Sequence, residues 1–196
     1  MKTSGDLFND TGLEDWLAQD KWRGSLAVGT TCGCDVARLG RDICDCLNAK
    51  EQAGPALVPF DREDIRRLAG DPSWRRRIFS AVTDPAVEKF PGCDYERMIR
   101  SVASLGGAVL AGQCCLDATR GLDNVFRVMV SSCGQCRTDD PSMLLDPARF
   151  SAASLVEVIA DSFVNWCRDR FTESGMRVQP RKEAIMGRPS LVPIGA

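Results

Sequence analysis

Cysteines dominate the chemistry open to this chain. There are ten of them and no histidine. That excludes a Ser-His-Asp triad, a Cys-His dyad, an imidazole metal ligand and an imidazole base. Eight fall into two groups of four: Cys32, Cys34, Cys44 and Cys46, then Cys114, Cys115, Cys133 and Cys136, with Cys93 and Cys167 apart. Four thiolates suit tetrahedral zinc or an iron–sulfur cluster, and Gly33 would let the backbone between Cys32 and Cys34 bend around an ion. Helix geometry opposes a metal in the first group. On a helix over 35–50, Cys44 and Cys46 point about 200° apart, and Cys46 joins Val36, Leu39 and Ile43 as a small core residue. Buried thiols, disulfides and metal thiolates are the three states open to both groups.

The sharpest local motif is Ser132-Cys133-Gly134-Gln135-Cys136-Arg137. A CxxC after the apolar run Val128-Met129-Val130 resembles a thioredoxin-type active site at the end of a strand. That resemblance implies Cys133 as the nucleophile of lowered pKa and Cys136 as the resolving thiol. Downstream the pattern departs: 138–141 reads as a turn, followed by one long helix and a tail. The same six residues resemble the Ser-Cys-Gly-x-Cys start of the four-iron cluster site in the flavin-binding subunit of NADH dehydrogenases. A third Cys is implied three residues on, where this chain has Asp139. The interval from Cys34 to Cys44 resembles one CX9C pair of the coiled-coil-helix proteins of the mitochondrial intermembrane space, but no second such pair exists. Cys114 and Arg120 have the spacing of a cysteine-phosphatase loop. The residues between them lack glycine and include Asp117, so a helix end with an Arg near its C-terminus is the better reading.

The elements that must position these groups read as helices. Asp-Pro occurs at Asp71-Pro72, Asp84-Pro85, Asp140-Pro141 and Asp146-Pro147. Asp accepts from the orphan amides of a helix start, and Pro at the next position gives up a donor that had no partner. Only the pair at Asp140 reads as a plain turn. Apolar spacing predicts helices over 11–23, 35–50, 61–69 and 72–83, a long one over 95–120 kinked at Gly106-Gly107, and another over 151–172. Residues 123–133 fit a helix or a strand. Residues 52–60 and 176–196 look extended. The acid pairs Asp61/Asp64 and Asp117/Asp123 read as caps and first-turn acids rather than acid–base dyads. Trp74-Arg75-Arg76-Arg77 reads as a solvated helix face. No dinucleotide, phosphate-loop or zinc-protease motif occurs.

The expected fold is therefore all-α: a single irregular bundle of about six helices with extended N- and C-terminal arms. It divides into a helical Cys-rich domain over 1–175 and a basic, Pro-containing tail over 176–196. The tail carries Arg177, Arg181, Lys182 and Arg188 against Glu183, and these four cations are the candidate partner-binding residues. The whole chain has 25 basic and 27 acidic residues, which speaks against nucleic acid as a partner. No apolar run is long enough for a bilayer. The first twenty residues have no apolar core of a secretory signal, so cytoplasm is the expected compartment, with an oxidising one reached without a cleaved signal left open. The function expected is a non-catalytic helical accessory or interaction subunit of a larger assembly, with a protein partner engaged through the tail. The alternative is a cysteine-ligated zinc or iron–sulfur protein, or a thiol redox protein, centred on Cys133 and Cys136.

Overall fold

In the computed structural model, residues 10–18, 21–31, 33–50, 56–132, 141–171 and 177–178 are described. They form an α/β fold around a parallel sheet, and the all-α expectation is overturned. The elements run α1 (Asp10–Ala18), β1 (Lys21–Trp22), β2 (Ser25–Thr30), α2 (Val36–Lys50), β3 (Val58–Phe60), α3 (Arg62–Gly70), α4 (Pro72–Ala81), α5 (Pro85–Glu88), α6 (Asp94–Leu105), β4 (Ala108–Ala111), α7 (Gln113–Ala118), β5 (Val125–Val130), β6 (Met143–Leu145), a 3-10 turn (Pro147–Arg149), α8 (Ala152–Arg170) and β7 (Arg177–Val178). Five strands lie in the order β3-β4-β2-β5-β6, and every neighbouring pair is parallel.

The strands escaped the helical reading for a physical reason. A strand covered on both faces shows no alternation of polar and apolar residues; it is a short apolar run. Residues 108–111 and 125–130 are buried throughout, as are all of 25–30 but the last. Alternation survives only in which core each side chain enters. Leu26, Val28, Phe126, Val128 and Val130 join Ile43 and Leu47 of α2 and Ile159 and Phe163 of α8 on one face. Ala27, Val125 and Met129 join Ile65, Ile78, Ile99, Val102 and Leu116 on the other. Fully burying one such side chain contributes about 1.5–3 kcal/mol, so the two cores fix the register of β2 and β5.

The helix expected over 95–120 is three elements. Gly106 and Gly107, at φ +81° and +67°, end α6 rather than kinking it, and β4 and α7 follow. The Asp-Pro reading holds at Asp71, whose carboxylate accepts from Ser73 N and Trp74 N to start α4, and at Asp146, which accepts from Ala148 N. Asp140-Pro141 lies partly outside the described residues. The cap of α8 is Ser151, accepting from Ser154 N at 3.1 Å. The C-terminal arm is extended where it is described, and it is docked on its own chain: β7 pairs antiparallel with β1, Trp22 opposite Arg177. No helix of the described residues is long and apolar enough to cross a membrane.

Candidate ligand crevice at the carboxyl edge of the sheet

A parallel sheet with a central first strand must send its connections in two directions. From β2 the chain runs through α2 to β3 on one side; from β5 it continues to β6 on the other. β2 and β5 are neighbours, so their carboxyl ends form the topological switch point, the place where open α/β sheets bind their ligands. Two hydroxyls bridge it: Thr31 Oγ1 donates to Ser131 Oγ at 2.8 Å. The backbones are also tied, Thr31 N to Val130 O at 3.1 Å and Ser131 N to Leu145 O at 2.8 Å.

The turn from β2 into α2 forms one wall. Gly33 has φ +71°, the left-handed region that glycine enters without strain, and nothing lies within 4 Å of where its Cβ would be. Cys34 is exposed, with its thiol 3.1 Å from Thr30 Oγ1. Asp35 precedes α2 and accepts from Arg38 N at 3.0 Å. The other wall is the turn after β4, where Gly112 N donates to Val28 O at 2.9 Å. Gly29 permits this close crossing, since a Cβ there would stand 2.6 Å from Leu116 Cδ1.

A charged cluster lies beyond, at the carboxyl end of β3. Asp61 caps α3 and forms a reciprocal box with Asp64, so the cap reading of that pair holds. Arg41 Nη1 of α2 reaches Asp61 Oδ2 at 3.5 Å. Burial pushes the Asp64 carboxyl up to about 7, with the charge of Asp61 adding to the rise and Arg41 opposing it. Tyr95 of α6 is pushed up to about 12, first by burial and then by the thiols of Cys115 and Cys114, with Arg62 and Arg66 pulling the other way. Those interactions bring the starts of α3, α6 and α7 into one neighbourhood.

The cysteine sets do not assemble as expected. All seven described cysteines are free. No three His, Cys, Asp or Glu among the described residues are placed to hold a metal ion. For the described cysteines the zinc, iron–sulfur and disulfide expectations are corrected accordingly; the expectation centred on Cys133 and Cys136 falls outside the described residues. The reasons are topological. Helix α2 runs unbroken through Cys44 and Cys46, so Cys34 at its start cannot share a tetrahedron with both. Cys44, not Cys46, is the buried member; its thiol donates to Leu57 O at 3.1 Å. Cys115 is buried and Cys114 exposed, since neighbours on a helix point about 100° apart and do not share a face. Burial pushes the thiols of Cys44, Cys115 and Cys167 up to about 12, making them poor nucleophiles and poor ligands. Cys93 is exposed just before α6. Cys32, Cys133 and Cys136 lie outside the described residues, as do Arg181, Lys182 and Arg188 of the tail.

Sequence reasoning missed Thr31, Asp35, Arg41 and Ser131, and gave Gly33 only the role of bending the chain around an ion. The signal was present: Gly29 and Gly33 follow an apolar run and precede the well-formed α2 pattern, a strand–turn–helix arrangement. Comparison with known proteins finds no matching family model, no matching curated protein and no matching solved structure. The class is thus set by architecture: an open parallel α/β protein with polar side chains at its topological switch point.

Proposed function

We propose that the protein is a non-catalytic binding protein for a small phosphate-bearing ligand seated at the carboxyl ends of β2 and β5. The observation that carries this reading is the Gly33 turn, which joins the central strand at the switch point to a helix of 15 residues. A helix entered in this way offers first-turn amides and the positive end of its dipole to an anion. Arg38 and Arg41 in the first two turns of α2 add formal charge, and Thr31 and Ser131 add hydroxyls.

The non-catalytic half of the reading rests on residue types. A phosphate loop that handles nucleoside triphosphates follows its second glycine with Lys and then Ser or Thr, for the terminal phosphates and for Mg²⁺. After Gly33 this chain has Cys34 and Asp35. Asp35 also accepts one first-turn amide, so its charge offsets part of the helix dipole and favours moderate affinity. An accessory role through the basic tail is the weaker reading. The tail meets its own β1 in β7, and among the described residues Leu144 is the one large hydrophobe that stands exposed.

Melting curves and equilibrium dialysis against inorganic phosphate, pyrophosphate, nucleoside phosphates and sugar phosphates test the proposal. At least one class is expected to stabilise the fold; a ligand at a hundred times its Kd adds about 2.7 kcal/mol. It is also expected to be recovered unchanged. A protein that responds to none of them at millimolar concentration overturns the proposal, and turnover of the bound compound overturns its non-catalytic half.

A further inference from the structure

Helix α1 is too weak to form by itself. It has nine residues, Asp10–Ala18, and an isolated helix shorter than about 12–15 residues is marginal in water. Its sequence adds little. Gly12 lies inside it, and it holds Asp10, Glu14 and Asp15 with no basic residue to pair with them or to balance the dipole at its carboxyl end. The helix exists because of its seat. Leu13 and Trp16, one turn apart, are each 3 % exposed and join a core with Val58, Phe60, Trp74 and Ile78. Trp16 meets Phe60 of β3 edge-on, with ring centroids 5.1 Å apart. On the outer side Arg77 Nη1 of α4 donates to Glu14 Oε1 at 2.8 Å, and 45 % and 54 % of the two side chains stand exposed. Arg77 is laid over the ring of Trp74, 4.6 Å from its centroid, which aims its guanidinium at Glu14.

We propose that α1 is a strap that lifts from β3 and α4 as one cooperative unit while the parallel sheet stays folded, with Glu14 and Arg77 as its salt-sensitive latch. Lifting takes Trp16 off Phe60 and uncovers the end of β3, next to Asp61. It breaks no strand pairing, because β3 is bonded to β4 and the central strands β2 and β5 are bonded on both sides. The lifted segment loses its helix, since its sequence does not favour one, so docking and helix formation are a single step. Salt screens an exposed ion pair far more than it affects buried apolar contacts, so high ionic strength favours the lifted form.

Amide hydrogen exchange on the full chain tests the proposal. The amides of Trp16 and Leu17 are expected to exchange through an opening at least roughly a hundredfold more populated than the one that releases Leu26 of β2 and Val128 of β5. That opening should scarcely respond to low urea, because it uncovers little surface. Glu14→Gln leaves both apolar anchors in place and should raise it roughly two- to fivefold. Raising salt from about 0.05 M to about 0.5 M should do the same in the parent and have little effect in Glu14→Gln. Trp16→Ala should leave α1 unprotected while Leu26 and Val128 keep at least roughly a hundredfold more protection. A single opening shared by α1 and the sheet overturns the strap, as does loss of protection throughout the sheet in Trp16→Ala. An opening of α1 that ignores both salt and Glu14→Gln overturns the latch.

Discussion

The two ends of the sheet are built to opposite purposes. At the amino ends, polar groups are turned inward and closed. Ser25 Oγ donates to Ala103 O at 2.9 Å inside the fold. The amide of Asn124 lies 3.2 Å from Arg23 O, 3.2 Å from Ala103 O and 3.1 Å from Ser104 O. Gly106 passes so close that a Cβ would stand 2.2 Å from Trp22 O. At the carboxyl ends the glycine turn at 33 is open, the charges at Asp61 and Arg41 are partly exposed, and the hydroxyls of Thr31 and Ser131 bond to each other. Tightly satisfied backbone at one end holds the strands in register. At the other end polar side chains bond to one another and to turn backbone, in keeping with the usual division between scaffold and loops.

That contrast can be broken by substitution, and the largest effects belong to the amino end. Gly106→Ala meets both a left-handed φ and a backbone oxygen, and should cost about 3 kcal/mol or more in urea unfolding. Asn124→Ala leaves the carbonyls at the end of α6 short of a donor and should cost about 2 kcal/mol, with phosphate binding to the folded protein unchanged. Gly33→Ala, at the carboxyl end, has room for its methyl group and should cost only about 1 kcal/mol, yet weaken phosphate binding at least tenfold. If Gly33→Ala destabilises as much as Gly106→Ala, the division between the ends fails.

Smaller effects sharpen the comparison. Thiol labelling of the native protein should modify Cys34, Cys93 and Cys114 well before Cys44, Cys115 and Cys167, whose thiols are buried and pushed up to about 12. Equal rates for both sets would contradict the packing described. Stability should also carry the imprint of Asp64. Its folded carboxyl sits above the ordinary value of 3.8, at about 7, so the folded state binds the proton more tightly than the unfolded state. Stability from this group is greatest below the ordinary carboxylate range and is lost as pH rises toward 7. Asp64→Asn should therefore unfold at higher denaturant than the parent at pH 8, and the gap should close by pH 4.

How much of this was legible in the sequence follows from what each element buries. Helices with one wet face were readable: α2, α3, α4 and α8 lie within two or three residues of their apolar spacing and capping signals. The sheet was not, because 25–30, 108–111 and 125–130 are covered on both sides and carry no period of two along the chain. Val125-Phe126-Arg127-Val128-Met129-Val130 fits either period, and only the pairing of β5 with β2 decides it. The site was hidden for the same reason. Thr31 and Ser131 lie 100 residues apart in sequence, and nothing local marks them as partners until β2 and β5 are known to be neighbours. The cysteines misled through their number: Cys44, Cys115 and Cys167 serve as small apolar core residues, as free cysteine often does.

Ligand binding is proposed at the switch point and at no other surface. An amide-resolved titration with pyrophosphate tests it most directly. Shifts are expected to concentrate at Thr31, Gly33, Cys34, Val36, Gly112 and Ser131, with Gly106 and Asn124 unmoved. Shifts centred on the amino ends of the strands, or spread evenly over surface arginines with no saturation, would contradict it.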